Sequence, residues 1–195
     1  MAFRTLKVEL KGNGPLLMHS DKTADPLNPI TQEIKKLTDI RKKTDEVLIA
    51  IANKKFMAAY YTDENDQIVM PSQNLEASIK GAAKLQKKGT TVTRAVQILD
   101  PYIDFTYDGS TDPVKRWEDR ANCVDARSVV VGQARVMAYR PKFNNWTVKA
   151  NICFDDEQID VDTLVGIVGD AGSKVGLCDY RPRFGRFTVA SHSVA

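Results

Sequence analysis

Histidine and cysteine are scarce in this chain. There are two histidines, His19 and His192, at opposite ends of the sequence, and three cysteines, Cys123, Cys153 and Cys178. The cysteines are odd in number, widely spaced and never in a C-x-x-C pair, which excludes a zinc finger and argues against a disulfide framework. Long apolar runs are also missing. The run Val47 to Ala52 falls far short of the roughly 20 residues that cross a bilayer, and the opening MAFRTLKVEL has no apolar h-region. The expectation is a cytoplasmic protein with no membrane partner. There is no Walker loop, no G-x-S-x-G, no carboxylate cluster at metal spacing and no dinucleotide fingerprint, so neither a metal nor a cofactor is expected. Repeats and low-complexity tracts are absent as well.

What is present is ordinary globular material. The 195 residues are 43% apolar and 27% charged, enough for one real core. Net charge is only +3, but it is segregated along the chain. Basic residues dominate from Glu33 to Lys55, Glu76 to Arg94 and Lys174 to Arg186, whereas Asp100 to Asp125 and Asp155 to Asp162 are acidic. Such separation suits long anionic polymers and head-to-tail self-association, although solvated helix faces give the same pattern.

Phe3 to Leu10 alternates apolar and polar residues and reads as a half-buried strand, stopped by Gly12, Gly14 and Pro15. Ile34, Leu37 and Ile40 predict a basic helix over Gln32 to Lys43, and Thr44 caps a second helix running towards Phe56. Pro71 and Ser72 open a third helix whose outer stripe carries Lys80, Lys84 and Lys87. Thr91 to Leu99 and Tyr102 to Tyr107 read as strands. Arg127 to Tyr139 and Trp146 to Phe154 read as a hairpin joined by RPKFNN. A short helix over Asp160 to Asp170 and a last strand, Arg186 to Ala190, complete the order. Stripped of loops it is strand, helix, strand, strand, helix, strand. That predicts an α+β, ferredoxin-like (RRM-like) fold: an antiparallel sheet with two helices on one face and a helical insertion after the first strand.

Three segments carry a family pattern: Leu16-Leu17-Met18-His19-Ser20, then Ile68-Val69-Met70-Pro71-Ser72-Gln73-Asn74-Leu75, and finally Arg183-Phe184-Gly185-Arg186-Phe187. In this order they resemble the RAMP superfamily, whose members build the backbone and processing subunits of CRISPR effector complexes. Gln73 and Asn74 stand where the family usually has glycine or serines, and the glycine loop is thinner than usual. The ending also looks like that of phage-encoded proteins. The resemblance implies one RAMP-like domain over 1–195, with 22–59 as an inserted helical arm.

The last motif has a physical reading of its own. Arginine forms bidentate bonds to phosphate, aromatic rings stack on bases, and glycine lets backbone N–H groups approach phosphate closely. Tyr180, Arg181, Arg183, Phe184 and Arg186 are therefore candidate nucleic-acid contacts. The alternative puts Phe184 and Phe187 in the core and pairs the arginines with the acids of Asp155 to Asp162. Lys80, Lys84 and Lys87 are further candidates, as are Lys35, Lys36, Arg41, Lys42 and Lys43 on the basic helix. Arg127 and Arg135 suit sheet-face contacts, with plain surface residues the other reading.

The leading expectation is a non-catalytic, oligomerising protein that binds single-stranded RNA or DNA. It would associate head to tail with itself and, given the family, with CRISPR effector subunits. One alternative is a metal-independent riboendonuclease, since family members use a histidine base or an aspartate after the first strand, where His19 and Asp21 stand. The other is a phage protein that mimics or inhibits the CRISPR backbone subunit.

Overall fold

The computed structural model describes residues 3–195. The described residues form nine β-strands and seven α-helices. In chain order the first part comprises β1 (Phe3–Gly12), β2 (Leu16–Leu17), α1 (Pro29–Thr38), α2 (Asp45–Ala58), β3 (Met70–Pro71), α3 (Ser72–Leu85), α4 (Gly89–Ala95) and β4 (Val96–Gln97). There follow β5 (Tyr102–Tyr107), α5 (Pro113–Glu118), α6 (Arg120–Cys123), β6 (Val124–Val131), β7 (Ala134–Phe143), β8 (Trp146–Asp155), α7 (Val161–Asp170) and β9 (Phe187–Val194). The protein is α+β with antiparallel sheets. No helix among the described residues is long and apolar enough to cross a membrane.

The chain divides into two compact units, each made of discontinuous segments. One joins the chain up to Leu16 with Val69–Asp108 and Asn144–Ala195; the other joins Leu17–Ile68 with Gly109–Phe143. Segment 22–59 falls wholly within the second unit.

The first unit is built on a sheet in the order β3-β5-β8-β1-β9, every neighbouring pair antiparallel, with β4 also paired to β8. The period-2 alternation seen in the sequence is realised on both central strands. Leu6, Val8 and Leu10 of β1 and Val148, Ile152 and Phe154 of β8 are buried, while Lys7, Lys11, Lys149 and Asn151 point to the other face. The covered face meets Leu75, Ile79, Ala82 and Ala83 of α3 and Leu164, Ile167 and Val168 of α7.

The second unit holds the antiparallel pair β6-β7 and the helical pair α1 and α2. Its centre is aromatic: Phe56 lies edge-on to Tyr60 at 5.1 Å and against Trp117 at 5.3 Å, and Tyr60 meets Phe143 at 6.4 Å. Arg116 is buried here too, stacked over Phe143 at 4.3 Å and donating to the Lys142 carbonyl at 2.6 Å.

Three expectations are corrected. The run Arg127 to Tyr139 is two strands, folded back at Gly132, whose φ of 61° suits a two-residue turn between Val131 and Ala134. RPKFNN is therefore not the hairpin turn; Arg140 to Phe143 complete β7, and β8 pairs with β1 and β5. The basic helix runs from Pro29 to Thr38, opened by the Asn28 side chain accepting from Ile30 N–H. Thr91 to Ala95 is helical, because Val92 and Ala95 at helical spacing are buried where α4 meets α3.

Candidate nucleic-acid interface

In the first unit α7 runs into one π-helical turn, Ala171–Val175, and the chain then winds through the Gly, Arg and aromatic loop to β9. The loop is laced by backbone bonds. Leu177 N–H donates to the Gly185 carbonyl at 2.8 Å, and Phe184 N–H to that of Tyr180 at 3.2 Å. Gly185 N–H donates to the Pro15 carbonyl at 2.9 Å, and Asn13 N–H to that of Arg186 at 2.8 Å, so the loop is tied to the end of β1. Cys178 and Tyr180 both adopt left-handed backbone angles, φ 59° and 57°, unusual for residues with a Cβ.

These constraints sort the candidate residues. Arg181, Arg183 and Arg186 are exposed and make no ion pair among the described residues; Arg186 Nε donates to the Pro182 carbonyl at 2.8 Å. Tyr180 is 45% exposed, and its ring lies on Phe184 at 5.7 Å. Phe184 itself is buried, and Phe187 packs on Trp146 at 6.4 Å, so Tyr180 is the aromatic surface of this loop. Gly185, expected to admit phosphate, is filled by the protein: a Cβ there would strike the Leu177 carbonyl. Among the described residues these arginines form no ion pair with the acids of 155–162. Asp155 accepts from Glu157 N–H and Gln158, Asp156 faces Arg4 at 4.0 Å, and Asp160 caps α7 by accepting from Thr163 N–H and O–H, which holds its carboxyl below the usual value.

Beneath the loop, Ala77, Gly81 and Leu85 of α3 form the floor of an open groove of about 640 Å³, walled by Val175, Tyr180, Arg181 and Pro182. Cys178 also borders it, but its thiol is pushed up to about 12 by burial. Of the expected lysine stripe, Lys80 and Lys84 lie on α3 and Lys87 just beyond its end. Lys80 pairs with Glu76 at 3.8 Å, and Glu76 also accepts from Ile98 N–H at 2.9 Å. Lys84 and Lys87 are exposed and flank a separate hollow with Arg94.

Sequence reasoning did not find the hollow on the open sheet face. Lys7, Glu9, Asp104, Lys149, Asn151, Ser191 and Ser193 line it, and its volume is about 800 Å³. Alternation alone turned Lys7 and Lys11 outward; only the register, Glu9 opposite Lys149 and Lys149 opposite Asp104, brings the rest together.

In the second unit Lys35 and Lys36 stand exposed on α1, whereas Arg41, Lys42 and Lys43 lie in the connection after it. Lys54 holds α1 to α2 through Glu33 at 2.6 Å, and that hydrogen bond lowers the Glu33 carboxyl below its usual value. Arg135 is exposed near the hairpin tip. Arg127 is half-buried and gives its Nε to Asp125 at 2.6 Å, so its charge is already engaged. His19 and Asp21 are exposed around a single 3-10 turn, and Tyr61 donates to the His19 main-chain carbonyl at 3.0 Å. Beside them the Lys22 ammonium, half-buried and donating to Thr62 at 2.7 Å, is lowered by desolvation, against the pull of Asp66 and Asp21. Among the described residues no three of His, Cys, Asp and Glu gather into a metal site.

Comparison with known proteins adds a likeness of fold. No family model matches the sequence, and no curated protein matches it. A chain of the cryo-EM structure of the Type III-B Cmr-beta bound to cognate target RNA superposes on this one with a TM-score of 0.50 and 8% identity. The match covers 98% of this chain and 60% of that one. This protein therefore shares its fold with a chain of that Cmr-beta structure and spans three-fifths of that chain's length.

Proposed function

We propose that this chain is a non-catalytic RAMP-type protein that binds single-stranded RNA or DNA and assembles head to tail. The observation that carries the reading is the likeness, over almost the whole chain, to part of a Cmr effector complex bound to RNA. The strand order supports it: leaving out the two-residue strands, β5-β8-β1-β9 is the 2-3-1-4 arrangement of a ferredoxin-like sheet. The exposed arginines beside the exposed Tyr180 ring supply phosphate contact and base stacking in one loop. Segment 22–59, with its exposed lysines, offers a surface for self-association.

Fluorescence anisotropy with labelled single strands tests this. Arg183→Ala with Arg186→Ala is expected to weaken binding and to flatten its salt dependence by about 0.7 in log–log slope for each phosphate that is no longer neutralised. Unchanged affinity and slope in a folded double variant overturn the reading. So does strand cleavage that disappears with His19→Ala, which makes the chain a nuclease. Light scattering with long single strands should detect assemblies larger than a monomer.

A further inference from the structure

The connection between α3 and α4 inverts a common choice of residues. α3 ends in a Schellman motif: Lys88 N–H donates to the Ala83 carbonyl at 2.8 Å and Lys87 N–H to that of Lys84 at 3.1 Å. The residue at the left-handed position of that motif is ordinarily glycine. Here it is Lys87, with φ 57°. The glycine stands two residues later, at Gly89, where a Cβ would come within 2.8 Å of the Lys84 stem. The backbone thus accepts a side chain where glycine is cheaper, and omits one where it would displace another cation.

The result is a hollow of about 430 Å³ lined by Lys84, Lys87, Gly89, Thr90, Thr93 and Arg94. Three cations border it and no carboxylate does. None of the three makes an ion pair among the described residues. The Thr93 hydroxyl donates to the Gly89 carbonyl at 2.8 Å, which fixes one wall. Three cations and two threonines bordering one open hollow, with no carboxylate among its lining, match the charge of a phosphate group.

We infer that this hollow binds phosphate, and that its occupant is a phosphodiester of the strand, held by Lys84, Lys87 and Arg94. The second half rests on the proposed function; the first does not. Lys87→Gly with Arg94→Gln removes two cations while giving the left-handed position its preferred residue, so the fold should survive. Titration of the isotope-labelled protein with inorganic pyrophosphate, followed by NMR, should move the amides of residues 84–94 saturably, and about tenfold more weakly in the double variant. With a single-stranded oligonucleotide the variant should lower the salt slope by about 0.7 for each cation removed. Absence of a saturable shift at these amides, or an unchanged shift in the variant, overturns the site. Pyrophosphate binding with unaltered strand affinity overturns the phosphodiester occupant and assigns the hollow to a free phosphate compound. Wild-type protein that takes pyrophosphate but no strand refutes the proposed function and the phosphodiester occupant, and leaves the phosphate site standing.

Discussion

Asp125 and Arg140 face each other in register across the β6-β7 hairpin, carboxylate to guanidinium at 3.8 Å, and both side chains are buried. The other oxygen of the same carboxylate accepts from Arg127 at 2.6 Å. One acid thus neutralises two arginines at the root of the hairpin. Taking away one partner of a buried pair leaves the other charge desolvated. Asp125→Ala is expected to cost about 3 to 5 kcal/mol in urea denaturation, and adding Arg140→Leu should recover part of that loss.

Gly185 has φ 72° and lies against the Leu177 carbonyl, so Gly185→Ala meets both backbone strain and overlap. We expect a loss of about 1 to 3 kcal/mol from the strain alone. Gly14→Ala, where nothing lies within 4 Å of the added carbon, should stay within about 0.5 kcal/mol of the parent. Equal denaturation midpoints for the two variants would refute the account of the loop.

Thiol reactivity separates the three cysteines. Cys178 is buried with its thiol pushed up to about 12, and burial also raises Cys123, whereas Cys153 is partly open on the uncovered sheet face. At pH 8 a thiol reagent should label Cys153 in the native protein within minutes and reach the other two only on unfolding, as peptide mapping can show.

Asp170 accepts from Lys174 and Gln86, each at 2.8 Å, and the Lys174 bond is the larger cause of its lowered carboxyl value. A depressed carboxylate contributes stability above its unfolded value of 3.8, and that contribution is lost as pH falls through the lower folded value. Between pH 7 and pH 3 the urea midpoint should therefore fall less for Asp170→Asn than for the parent.

The elements legible in the sequence were those set by local rules. The alternation of Phe3 to Leu10, the Thr44 cap of α2, the start of α7 at Asp160 and that of α3 at Ser72 all stand. The failures lie where neighbours outvote local preference. Thr91 to Ala95 is rich in β-branched residues yet helical, because its apolar pair packs on α3. Gly132 lies within a long β-branched run, so the sequence pattern alone puts the turn at RPKFNN. Of the candidate site, the three exposed arginines were legible from the Gly and aromatic spacing. Burial of Phe184, capture of Arg127 by Asp125 and recruitment of Arg94 were not, since each depends on a tertiary neighbour or on an element read wrongly.

β1 is made long before either of its two partners, β8 and β9. During synthesis at about 5 to 20 residues per second, its paired edges stay empty for on the order of ten seconds. Closing so long a loop before any pairing rewards it also slows folding in solution. Until β8 and β9 emerge, both edges of β1 are open to pairing with other chains, so this strand is an aggregation risk during synthesis.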